Sequence, residues 1–136
     1  LRQNSASTMA GRRPPHLHAA VYLIMRRGES VLLSQRKNTG FMDGWYTLPA
    51  GHVNAGERLA GAVVREGKEE VDVAIDPKDV AVLSVTHRKT PKREYIDAFC
   101  QVSKWKGEIA NGEPHKCSSL EFFPMTALPD NTLDYV

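Results

Sequence analysis

"GHVNAGERLAGAVVREGKEEVDV", Gly51 to Val73, places Glu57, Glu66, Glu69, Glu70 and Asp72 in one run with apolar Val63, Val64 and Val71. From about Arg58 to Val71 the pattern is helical, with Ala60, Val64, Gly67 and Val71 recurring at i, i+4, i+7 and i+11 as one narrow packing stripe. On that helix Glu66, Glu69 and Glu70 stand at i, i+3 and i+4 and share a face, and the packing stripe is expected to point elsewhere. Like charges at this spacing repel by a few tenths of a kcal/mol per pair, so they form either a solvated surface or a site for a cation. Clustered carboxylates suit a hard, oxygen-preferring ion, Mg²⁺ or Mn²⁺, and offer a soft metal nothing it prefers.

Outward from this segment, "HAAVYLIMRR" and "SVLLSQR" read as a strand pair around a tight turn at Gly28. "NTGFMDG" is turn-rich, and "WYTLPAG" is a short strand leading into the acidic helix. After it, "DVAVLSVTHR" and "EYIDAFCQVSKW" are two strands about the basic turn "KTPKR". A Gly-rich loop, "KGEIANGEPHKC", precedes a last strand, "SLEFFPM", and "PDNTLDYV" reads as the start of a helix. Strands, helix, strands, helix start: the order predicts an α/β or α+β domain with a mixed sheet and the long helix on one face.

The 136 residues suffice for one domain with a sizeable core. A net charge of +2 predicts no stable nucleic-acid partner, and no apolar run reaches membrane-spanning length. Cys100 and Cys117 lie outside any CxxC pair and fit reduced thiols in a cytoplasmic protein. Residues 1–16, without hydrophobic periodicity or a signal-peptide core, are expected to form a mobile tail, with Met9 a candidate natural start, ahead of a domain at 17–136.

Gly51, five residues, Glu57, seven residues, Arg65-Glu66, two residues, Glu69-Glu70: this spacing resembles the Nudix box, GX5EX7REUXEEXGU, with Val73 as its final aliphatic residue. "GWYTLPAGH" and "SLEFFPMTALPDN" are similar to segments of MutT-like Nudix hydrolases, so the resemblance runs from about Ala19 to Asn131. Gly67 stands where the box has an aliphatic residue, and Asp72 where it has a glycine. Gly67 in a helix interior costs about 1 kcal/mol relative to alanine, and Asp72 takes a left-handed terminator less readily than glycine.

The resemblance implies a Nudix-type α/β/α sandwich with a central mixed sheet, and a pyrophosphohydrolase using Mg²⁺ (or Mn²⁺) on a nucleoside diphosphate linked to a second group. A nucleoside triphosphate, canonical or oxidised, leads as substrate; ADP-ribose or a nucleotide sugar is the second reading, and a non-catalytic nucleotide sensor the third. It assigns metal binding to Glu66, Glu69, Glu70 and the Ala50 carbonyl, orientation of those carboxylates to Arg65 and Glu57, and the general base to Glu66 or to Glu113 in "NGEPHK". Arg36, whose guanidinium chelates phosphate oxygens, and Asn131, either a purine reader or a helix cap, are the substrate-binding candidates. Trp45 and Tyr46 suit a core better than base stacking, and "HRKTPKR" suits a solvated hairpin better than a polyphosphate site. The resemblance is compatible with a monomer or a homodimer.

Overall fold

The computed structural model describes residues 16–136; the tail expected at 1–16 lies, but for His16, outside them. The strands are β1 (Leu17–Arg27), β2 (Ser30–Arg36), β3 (Tyr46–Thr47), β4 (Ala50–His52), β5 (Val80–Lys89), β6 (Glu94–Val102) and β7 (Cys117–Pro124). One α-helix, α1 (Leu59–Glu66), runs into a π-helical turn at Gly67–Val71, and a short 3-10 turn covers Pro77–Asp79. The mixed sheet and its helix are those expected of the Nudix-type sandwich. "WYTLPAG" differs in being two short strands, broken at Leu48-Pro49, where proline has no N–H for a ladder.

β1 is the spine. It pairs in parallel with β6 along nine residue pairs, Leu17↔Glu94 to Met25↔Val102. On its other side it divides its partners: β2 only at the hairpin end (Arg26↔Val31, Arg27↔Ser30), and β4 at Ala20–Tyr22. β2 leaves β1 to pair with β3 and β7. The sheet therefore forks between β2 and β4, and a cleft opens at the fork.

Alternation along β1 sends side chains to two cores. Val21, Leu23 and Met25 pack with Ala98, Cys100 and Val102 of β6 under Ala62, Val63 and Val71 of the helical segment. Ala20, Tyr22, Val31, Leu33, Leu48 and Phe99 form the opposite core. Residues 129–136 cover part of this second face in turns rather than the expected helix: Thr132 N–H bonds to Pro129 O at 3.1 Å, and Leu133 N–H to Tyr46 O at 2.9 Å. Tyr135 packs edge-on against Tyr22 at 5.1 Å, so aromatic packing on the sheet decides this segment. Cys100 and Cys117 are buried and unbridged.

The helix buries only the Gly67 and Val71 half of the stripe its spacing suggests and adds Ala62, Val63 and Glu66 to it. Ala62, Val63, Glu66, Gly67 and Val71 face inward, while Ala60 and Val64 are only half-buried. Glu66, expected on a face turned away from the packing, is 7% exposed. Gly51 makes this possible, because a Cβ there would run into the Glu66 carboxylate. Gly67 makes room in the same way for Ile75: a Cβ would meet its Cδ1. Ile75 thus fills space that the aliphatic residue usual at the Gly67 position would claim. Asp72 ends the helical segment at φ 60°, ψ 39°, the left-handed terminator foreseen for it.

Candidate active site

Arg65 organises the acidic segment. Its Nε donates to Glu57 Oε2 at 2.8 Å and its Nη2 to Glu57 Oε1 at 3.0 Å, a two-point fork. Nη2 also donates to the His52 carbonyl at 2.8 Å, and Nη1 to Glu66 Oε2 at 2.8 Å and Glu69 Oε1 at 3.2 Å. These bonds use all five guanidinium donors. The Glu57 fork holds that carboxyl down at about 2, through the Arg65 hydrogen bonds first and the Asn54 N–H next. Arg65 and Glu57 therefore tie the Glu57 loop to the helix beside the other carboxylates.

Glu66 and Glu70 experience the opposite field. Burial pushes the Glu66 carboxyl up against the pull of its hydrogen bonds. Burial first, and the Glu66 charge second, push Glu70 well above the ordinary glutamate range, with Glu113 adding repulsion. Among the described residues, the Ala50 N–H donates to Glu70 Oε1 at 3.2 Å. Two desolvated carboxylates beside Glu69 and Glu113 offer oxygen ligands only, and such a set suits a hard divalent cation. Among the described residues, no three carboxylate, imidazole or thiol side chains already converge at metal-binding distance; Arg65 Nη1 instead bridges Glu66 and Glu69.

The cleft at the sheet fork has a volume of about 550 Å³, within the range of small-molecule sites. Glu66, Glu69, Glu70 and Glu113 line it, together with Ala50, Gly51 and His52, and Arg36 and Lys116 add positive charge. Metal-ligand candidates from β4 and the helix thus meet the loop glutamate, Glu113, although more than forty residues of chain separate them. Arg36 also lines the cleft, but part of its fork holds the 37–45 loop: Nε donates to Phe41 O at 2.7 Å and Nη2 to Thr39 Oγ1 at 3.0 Å.

Asn131 is placed differently. It is not among the cleft-lining residues, and its Nδ2 donates to Gly44 O at 2.7 Å, so it braces the 37–45 loop. No helix follows it to cap. Tyr46 packs edge-on against Phe123, as a core aromatic does. The "HRKTPKR" segment is a hairpin in which Arg88 bonds to buried Asp97 at 2.7 Å and His87 to Glu94 at 2.9 Å. Lys116, Asn111 and Gly112 are cleft or loop residues that sequence reasoning did not single out; "NG" signals only a turn.

Comparison with known proteins agrees with this geometry. Residues 14–135 match the NUDIX domain. An ADP-ribose pyrophosphatase of Methanocaldococcus jannaschii is 32% identical over 88% of this chain and 70% of its own length. An 8-oxo-dGTP diphosphatase of Proteus vulgaris is 29% identical over 68% of this chain and 81% of its own. The crystal structure of a MutT NUDIX hydrolase from Burkholderia pseudomallei aligns with a TM-score of 0.80, at 23% identity over 88% of this chain and 92% of that one, a likeness of fold. A match across nearly the whole chain, on the fold and box described above, settles the family: this chain is a member of the Nudix hydrolases, enzymes acting on phosphoanhydride bonds.

Proposed function

We propose that this chain is a Mg²⁺-dependent pyrophosphohydrolase whose preferred substrate is a nucleoside triphosphate, canonical or oxidised, cleaved to monophosphate and pyrophosphate. The observation that carries the reading is the composition of the cleft: Glu66, Glu69, Glu70 and Glu113 share it with Arg36 and Lys116. Glu66, Glu69, Glu70 and the Ala50 carbonyl are the residues to hold Mg²⁺, which supplies neutralisation of phosphate charge and acidification of water. Arg36 and Lys116 place the anionic chain by charge and by guanidinium hydrogen bonds. Glu66 is buried and tied to Arg65, which commits it to cation binding and leaves Glu113 as the general base for the attacking water.

The 32%-identical ADP-ribose pyrophosphatase favours a second reading, in which the group beyond the diphosphate is a ribose. Turnover with Mg²⁺ of the nucleoside triphosphates, 8-oxo-dGTP, ADP-ribose and nucleotide sugars, with products followed by phosphorus NMR, decides between them. Fastest release of pyrophosphate from a triphosphate supports the first reading; faster cleavage of ADP-ribose transfers the assignment to the second. In either case Glu70→Gln is expected to remove most turnover, and wild-type rates in that variant would sink the metal site.

A further inference from the structure

We infer that Asn111 is a positioning residue that sets the turn bearing Glu113 in the cleft it shares with Glu70, an inference that rests on the base assignment above. The loop bearing Glu113 is docked on the end of the acidic helix by its own backbone. Ala110 N–H bonds to Val71 O at 2.9 Å, and Gly112 N–H to Glu70 O at 3.0 Å, satisfying carbonyls that a helix end leaves open. Gly112 sits so close that a Cβ would run into the Glu69 carbonyl oxygen. Docking therefore joins the loop to the same turn that carries Glu69 and Glu70.

What docking leaves free is the course of the chain after Gly112. Asn111 fixes it from both ends: its Oδ1 accepts the Glu113 N–H at 3.0 Å and its Nδ2 donates to Cys117 O at 2.7 Å. Only this orientation of the amide satisfies both partners. The Glu113 carbonyl in turn accepts the N–H groups of Lys116 and Cys117, each at 2.9 Å. Glu113 is thus half-buried in a closed turn and lines the cleft together with Glu70. A carboxylate that must meet one water gains most from such prior placement.

The test is a double-mutant cycle on kcat in the full chain. Asn111→Ala is expected to lower kcat about 10- to 100-fold, the scale of a misplaced catalytic group, with a much smaller change in KM. Asn111→Ser, which keeps an acceptor for the Glu113 N–H, is expected to recover part of the loss and serves as the probe if the alanine variant does not fold. In a Glu113→Gln background either substitution is expected to cost nothing further. Additive losses would show that Asn111 acts through general loop stability and would overturn the inference. So would an unchanged kcat in the Asn111 variants beside a large loss in Glu113→Gln; that pattern leaves the base assignment standing. Wild-type kcat in Glu113→Gln would reject the base assignment, and the inference with it.

Discussion

At the scale of single residues, Arg65 is the most committed side chain in the site, since its fork serves Glu57, Glu66, Glu69 and the His52 carbonyl together. Lysine keeps the charge but offers a point donor instead of a planar fork. Arg65→Lys is therefore expected to lower metal affinity or kcat by about 10- to 100-fold, as changes beside a ligand set do. Its direct signature is the titration of Glu57. That carboxyl is held at about 2 by Arg65, so its contribution to stability is present above the ordinary glutamate range and is lost as pH falls through about 2. Carbon NMR of the Glu57 carboxyl should show this low midpoint in the wild type and a rise toward ordinary values in Arg65→Lys. An unmoved midpoint would mean that the Asn54 N–H, not the fork, sustains the shift. The spacing of the Nudix box disclosed Arg65 and Glu57 as partners; the His52 carbonyl bond was illegible, because it depends on where β4 lies.

At the scale of elements, the strands were legible because β-branched runs and turn residues are local signals, and β1, β2, β5 and β6 fall where those runs lie. The register of the helix was not. A stripe through Ala60 and Val64 is sound arithmetic, but two glycines on the packing surface redirect it: Gly51 admits the Glu66 carboxylate, and Gly67 admits Ile75. This reverses the effect that propensity alone assigns to Gly67→Ala. The helix gains about 1 kcal/mol from alanine, yet overpacking a filled core costs typically about 1–3 kcal/mol. Gly67→Ala is expected to destabilise on balance, and Ile75→Val, which deletes the clashing Cδ1, to rescue it in the double variant. Denaturant unfolding of the two singles and the double decides this, and a stabilised Gly67→Ala single would show that Ile75 moves aside freely. At the far end of the same segment, Asp72 at φ 60° meets the condition for a gain: Asp72→Gly should add about 0.5–1 kcal/mol, less the small worth of the exposed Lys68–Asp72 pair.

For the whole molecule, folding brings β4, the acidic helix and the 110–117 loop to one fork in the sheet, and it gathers negative charge there before any ligand binds. Each part was readable in the sequence; their meeting was implied by the family resemblance alone, because its geometry follows from β1 exchanging β2 for β4 partway along its length. The cost of that gathering is measurable. Glu66 and Glu70 are raised by burial, and Glu70 also by the charges of Glu66 and Glu113. The folded protein therefore holds protons there that the unfolded chain releases. That contribution is fully present below the ordinary glutamate range and is lost as pH rises through the raised values. In chelator, thermal stability should decline as pH rises above the ordinary glutamate range, over and above the behaviour of Glu70→Gln, which lacks one of the repelling charges. Mg²⁺ at about a hundred times its dissociation constant should restore about 2.7 kcal/mol at neutral pH and little at pH 4, where protons hold the carboxylates neutral. Calorimetry of wild type and Glu70→Gln, each with chelator and with Mg²⁺ at both pH values, tests the whole arrangement. Equal Mg²⁺ stabilisation in the two proteins would place the cation elsewhere, whereas a wild-type gain confined to neutral pH is what a cleft of mutually repelling carboxylates requires.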